Sequence, residues 1–101
     1  MSVQLSYKEG VLTARLSGEI DHHSAREMRE AIDDTAQKVK PACLRLDFSQ
    51  VPFMDSSGIA LILRAQQRMQ LLDGSLLVRN VPQQARRVLD AAGIGRLVTI
   101  R

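Results

Sequence analysis

Tryptophan is absent from the sequence, and one tyrosine and two phenylalanines are its only aromatic residues. Platforms that stack single-stranded nucleic acid need several exposed rings, so that function is not expected. Leu, Ile, Val, Ala and Met must build the core instead. There is one cysteine, Cys43, which cannot close an internal disulfide and suits a reducing cytoplasm. No apolar run approaches the roughly 20 residues of a membrane span. No charged segment followed by an apolar stretch opens the chain, so no secretory signal is expected. The phosphate-cradling run Gly-x-x-x-x-Gly-Lys-Ser/Thr and the nucleophile elbow Gly-x-Ser-x-Gly are both missing. Adjacent histidines, His22 and His23, point apart on an extended chain and have no third His or Cys to complete a metal site. Neither a metal nor a cofactor is expected.

What remains is a globular composition. The 101 residues are 45% hydrophobic and 25% charged, enough for one domain spanning 1–101. The formal charge is +3, but the arginines are scattered and the densest pair, Arg86-Arg87, lies close to Asp90. No direct nucleic-acid contact is expected from that pattern.

Apolar spacing divides the chain into elements. Val3, Leu5 and Tyr7 alternate with polar residues, as do Leu12, Ala14 and Leu16 beyond a Lys8-Glu9-Gly10 turn, predicting a hairpin. From Ser24 the period becomes helical, with Ala25, Met28, Ile32, Ala36 and Val39 on one stripe. Ser24 and Glu27 have capping-box spacing, while Asp21 could cap an earlier start. Ala42, Leu44, Leu46 and Phe48 mark a third strand, followed by a connection with Val51 and Phe53 tucked inward. A second helix is predicted from Ser57 to about Leu72, stopped at Asp73-Gly74 by a left-handed glycine. Leu76-Leu77-Val78 reads as a short strand covered on both faces. Pro82 opens a third helix ending at Gly93, and Leu97, Val98 and Ile100 form a last strand. The order β-β-α-β-α-β-α-β predicts an α/β fold: a mixed, mostly parallel sheet with an N-terminal hairpin.

The most unusual stretch is Phe53-Met54-Asp55-Ser56-Ser57-Gly58, where a loop enters a helix. Asp55, Ser56 and Ser57 all suit a helix start, because their oxygens accept from its free N–H groups. Such a start also tolerates a phosphoryl group, which meets unpaired donors and a partial positive charge. A small hydroxyl would then become a bulky dianion, able to abolish a close interface without unfolding the domain. A hydrolase triad of Ser56, His23 and Asp21 can be drawn on paper. The missing elbow and the small domain argue against it.

The run Phe53 to Gly58, preceded by Leu44-Arg45-Leu46-Asp47-Phe48 and followed by Ile59-Ala60-Leu61-Ile62-Leu63, resembles the central signature of the STAS domain family. Within that family it is most similar to bacterial anti-sigma factor antagonists. Gly18-Glu19-Ile20-Asp21-His22-His23-Ser24-Ala25 resembles the same group's second signature. The resemblance implies partner switching. The bare antagonist binds an anti-sigma factor that is a serine kinase with bound nucleotide, and sigma factor is freed. The kinase then phosphorylates the antagonist and releases it, and a metal-dependent serine phosphatase restores it. By resemblance Ser56 is the phospho-acceptor, Asp55 positions the loop, Ser57 caps or orients the helix, and Gly58 permits close approach. Asp21 and His23 join these residues in the partner-binding surface, and the domain is a substrate, not an enzyme. Position 60 is Ala60 where many relatives have glycine, and relatives commonly continue into another helix where this sequence ends at Arg101. A second circuit fits the same resemblance: a STAS module regulating a phosphatase, a secretion system or a transporter complex.

Overall fold

The computed structural model describes residues 2–101. Its first element pair is a hairpin, β1 (Val3–Lys8) and β2 (Val11–Ser17), closed by Glu9 and Gly10. Both turn residues have positive φ, 52° and 82°. That is the geometry whose twist matches the flanking strands, and glycine adopts it without a side-chain clash. Then follow α1 (His22–Val39), β3 (Cys43–Gln50), α2 (Ser56–Leu71), β4 (Ser75–Arg79), α3 (Gln83–Ala91) and β5 (Thr99–Ile100). The strands lie in the order β1-β2-β3-β4-β5, antiparallel at the hairpin and parallel from β2 onward. The expected α/β fold, mostly parallel with an N-terminal hairpin, is the fold observed.

Strand order decides where the helices go. Three successive crossovers each step one strand in the same direction, and crossovers are right-handed almost without exception. All three helices therefore cover the same face. Burial follows: Leu12, Ala14, Leu16, Leu44, Leu46, Phe48, Leu76 and Val78 are buried, while the residues between them are not. Leu77 thus lies on the open face, and β4 is covered on one side rather than the two its apolar run suggested. Met28, Ile32 and Ala36 of α1 and Leu61, Ile62, Ala65 and Met69 of α2 complete the core. Ala42, expected in the strand pattern, is exposed and precedes β3.

The open face is also basic. Cross-strand register aligns Arg15, Asp47 and Arg79 in one row, with Arg45 in the next and Lys8 in a third. Four cations, Arg15, Arg79, Arg45 and Lys8, thus share this face with one carboxylate. Partial burial pushes the Asp47 carboxyl up. Hydrogen bonds from Ser49 and Asn80 and the charge of Arg15 outweigh this and hold it below its ordinary value.

Three ends differ from expectation. At the end of α2 the left-handed residue is Asp73, with φ 55°. Gly74 is needed for space instead, because a Cβ there would lie 2.4 Å from Met69 Cε and 2.9 Å from the Ala42 carbonyl oxygen. The last strand is only Thr99–Ile100, since Ile94–Arg96 winds into a 3₁₀ turn that leaves Leu97 57% exposed. The third helix begins at Gln83 with Pro82 as its cap residue, one step later than a first-turn proline would place it.

Candidate functional site

Neighbouring parallel strands end at the same edge of the sheet, so the loops after β2 and β3 emerge side by side. Backbone bonds knit them together: Gly18 N–H to the Gln50 carbonyl (3.0 Å), Ile20 N–H to Phe53 (2.9 Å) and Asp55 N–H to Ile20 (3.1 Å). Ile20 and Met54 form an isolated parallel bridge, and both side chains are fully buried. This bridge sets Asp21 and Asp55 in matching positions, each the N-cap of the helix that follows.

Asp21 caps α1, which therefore starts at His22 and not at Ser24. The Ser24 N–H donates to Asp21 Oδ1 (2.9 Å), and the Asp21 N–H donates to Ser24 Oγ (3.0 Å). This reciprocal box replaces the one expected between Ser24 and Glu27. The Ser24 backbone bond, more than any other influence, holds the Asp21 carboxyl below its ordinary value. Both Asp21 and Asp47 are thus more acidic folded than unfolded. Their stabilisation is present above the unfolded carboxylate range, near pH 4, and disappears as pH falls through the lower folded values. Urea midpoints measured from pH 7 down to 2.5 should fall steeply below about pH 4, and less steeply in an Asp21→Asn, Asp47→Asn double variant.

Asp55 caps α2 by accepting the Ser57 N–H at 2.7 Å. Ser57, expected to cap or orient the helix, supplies that N–H and is half-buried. Ser56, the first residue of α2, is exposed, and no side-chain hydrogen bond among the described residues engages its hydroxyl. Gly58 is buried under Met54: a Cβ there would lie 2.1 Å from Met54 Sδ. The close approach at Gly58 is thus made from inside the protein. His23 is exposed and faces Glu27 of its own helix at 3.3 Å. Among the described residues no cluster of three or more metal-ligating side chains forms.

Two residues of this region behave as the sequence did not suggest. Phe53 is 45% exposed, while Val51 is buried as expected. Gln84, on α3, receives the Met54 N–H on Oε1 (2.8 Å) and donates Nε2 to the Met54 carbonyl (3.0 Å). One amide thereby mimics a neighbouring strand and ties α3 to the loop before Ser56. Nothing in local periodicity marks a glutamine thirty residues away for this task. Gln84→Ala should cost about 2 kcal/mol in chemical denaturation, because it strands two polar groups of Met54. Gln84→Glu should not restore the loss, because it keeps the acceptor for the Met54 N–H but sets a carboxylate oxygen against the Met54 carbonyl.

The first two turns of α1 and α2 frame a groove of about 350 Å³ that begins at His22 and Ser57. His22, Arg26 and Arg29 line one wall and Ser57, Ala60 and Leu61 the other.

A mostly parallel sheet covered on one side, with an unengaged hydroxyl on a braced helix start, defines a small α/β recognition domain. The chain belongs to the STAS domain family, which matches residues 2–101. It is 31% identical to an anti-sigma F factor antagonist of Paenibacillus polymyxa, over 99% of this chain and 86% of that protein. Its structure resembles the unphosphorylated anti-sigma factor antagonist SpoIIAA, with TM-score 0.84 and 26% identity over 98% of this chain and 87% of that one. It also resembles phosphorylated SpoIIAA of Bacillus, with TM-score 0.75 and 26% identity over 98% of this chain and 90% of that one.

Proposed function

We propose that this chain acts as a single-domain anti-sigma factor antagonist, switched off by phosphorylation of Ser56. The observation that carries the reading is the exposed Ser56 hydroxyl, without a side-chain hydrogen bond among the described residues, at a helix start braced by the Ile20–Met54 bridge and by Gln84. The name of the Paenibacillus polymyxa relative and the two phosphorylation states of the SpoIIAA structures support it. The bare form binds a nucleotide-bound serine-kinase anti-sigma factor in the cytoplasm and so frees sigma factor. Asp21, His23, Asp55, Ser56 and Ser57 meet the partner, and Gly58 contributes by letting Met54 seat beneath them. Phosphorylation adds about −1.5 to −2 charges at neutral pH. A helix start, with roughly half a positive charge, accommodates them; a tightly apposed protein surface does not. A metal-dependent serine phosphatase resets the cycle, and this domain is its substrate. No helix among the described residues is long and apolar enough to cross a membrane.

The test is the intact mass of the protein purified from its own host, with fragmentation to locate any added phosphoryl group. Transfer of phosphate from ATP to Ser56 by a purified host anti-sigma factor supports the reading. No modification in any growth phase, with no transfer from any such kinase, sinks it.

A further inference from the structure

Two features beside Ser56 are unexplained by the packing of the domain itself. Phe53 keeps 45% of its surface in water although its backbone is tightly held. Its carbonyl accepts the Ile20 N–H, and both polar backbone groups of the next residue are bonded to Gln84. A half-exposed aromatic ring on a fixed backbone loses little freedom when another protein covers it. That is the property of interface anchors. Leu71, Leu97 and Tyr7 are similarly or more exposed, but none belongs to the knitted loops.

The second feature is the groove between α1 and α2. Its lining includes two arginines and a histidine and no carboxylate. Arg26 is already paired with Glu30 at 3.3 Å. Arg29 is half-buried and has no ion pair among the described residues. Ala60 and Leu61 make the opposite wall shallow, so a short acidic side chain can reach the guanidinium. Ser57 links this groove to the hydroxyl of the preceding residue.

We infer that the anti-sigma factor contact runs across both features: Phe53 seats in an apolar hollow of the partner, and a partner carboxylate enters the groove against Arg29. This inference rests on the antagonist reading and names the partner's chemistry at that same site. The groove begins at Ser57, the residue after Ser56, so a carboxylate held there feels the charge of a dianion on Ser56. The contact that favours the bare form therefore opposes the phosphorylated one, through like-charge repulsion. Charged pairs at such edges act mainly on association rate and specificity, while a buried ring acts on dissociation.

The experiment is calorimetric titration of purified host anti-sigma factor, loaded with nucleotide, with four proteins: wild type, Phe53→Ala, Arg29→Glu and Leu71→Ala. Phe53→Ala should bind at least about 30-fold more weakly, the loss typical of a central anchor. Arg29→Glu should lose at least about tenfold, and wild-type affinity should fall more steeply with salt than that of Arg29→Glu. Leu71→Ala, on a side chain 81% exposed and outside the surface, should stay within about twofold. Hydrogen exchange of the wild-type complex gives a readout that needs no variant, with new protection expected at residues 51–55 and 22–30. Binding within about twofold of wild type by either Phe53→Ala or Arg29→Glu overturns the inference, as does absence of that protection. If bare wild type binds no host anti-sigma factor, the antagonist reading itself falls and takes the inference with it. If wild type binds and its Ser56-phosphorylated form does not, the reading stands and the variants alone decide the inference.

Discussion

Gly58→Ala should lower the melting temperature by about 10 °C, although alanine is the better helix former. A β-carbon at position 58 would lie 2.1 Å from Met54 Sδ and 2.3 Å from its Cγ, inside any tolerable contact. The thioether end of methionine is flexible, but Cγ is not its far end. Met54 is also fully buried, paired with Ile20 and bonded at both backbone polar groups to Gln84. Relief must come by moving the loop or the first turn of α2. Overpacking of this kind costs about 1–3 kcal/mol. The propensity gain from replacing glycine, at most about 1 kcal/mol within a helix, is smaller in the first turn. A net loss near 2 kcal/mol, at about 4–8 °C per kcal/mol for a domain of this size, gives the stated shift. Thermal denaturation by circular dichroism measures it. Combining Gly58→Ala with Met54→Ala discriminates further, since the added methyl then enters space the methionine has left. The double variant should be more stable than the sum of the single losses by at least about 1 kcal/mol. Unchanged melting of Gly58→Ala would mean that Met54 swings aside freely and that glycine is there for another reason.

Period and punctuation made most of the fold legible, because each strand and helix buries one face and the face shows as spacing. Leu12, Ala14 and Leu16, or Met28, Ile32 and Ala36, are read directly and are buried as read. Leu77 is instructive in the other direction. An apolar triplet carries no information about which face is covered; the crossover hand and the strand order do, and they leave its side of the sheet open. The two N-caps were visible as residue types, and both serve as caps. Their adjacency came from resemblance, since only the Ile20–Met54 bridge makes it physical. Phe53 is apolar yet half-exposed, because hydrophobicity alone does not say which side of a loop faces the core. Its neighbour Met54 fills the space beneath Gly58, and the ring is left outside. Gln84 had no signal at all, for its role depends on the backbone of Met54, thirty residues away in a loop.

At Ser56 the largest effect expected is on binding, with almost none on stability. Ser56→Ala should hold the anti-sigma factor as wild type does and resist switching, because among the described residues the hydroxyl has no side-chain hydrogen bond to forfeit. Ser56→Asp should bind at least about tenfold more weakly, and the Ser56-phosphorylated protein at least about a hundredfold, following one and nearly two added charges. Both anions sit at the positive end of α2, where negative charge is favourable, so neither should lower the melting temperature. This separation of effects distinguishes a switch from a structural residue, whose replacement would damage binding through the fold. Salt then resolves how the anion acts. If long-range repulsion dominates, raising ionic strength tenfold from 0.1 M to 1 M shortens the screening length from about 10 Å to about 3 Å and narrows the gap between variants. If the dianion is instead trapped in a dry interface, the gap persists, since buried charge is screened far less. The Ser56 side chain is exposed, so Ser56→Asp should respond to salt. The phosphoryl group, larger and reaching further into the interface, should keep most of its effect. Equal binding by Ser56→Ala, Ser56→Asp and wild type would place the switch elsewhere on the molecule.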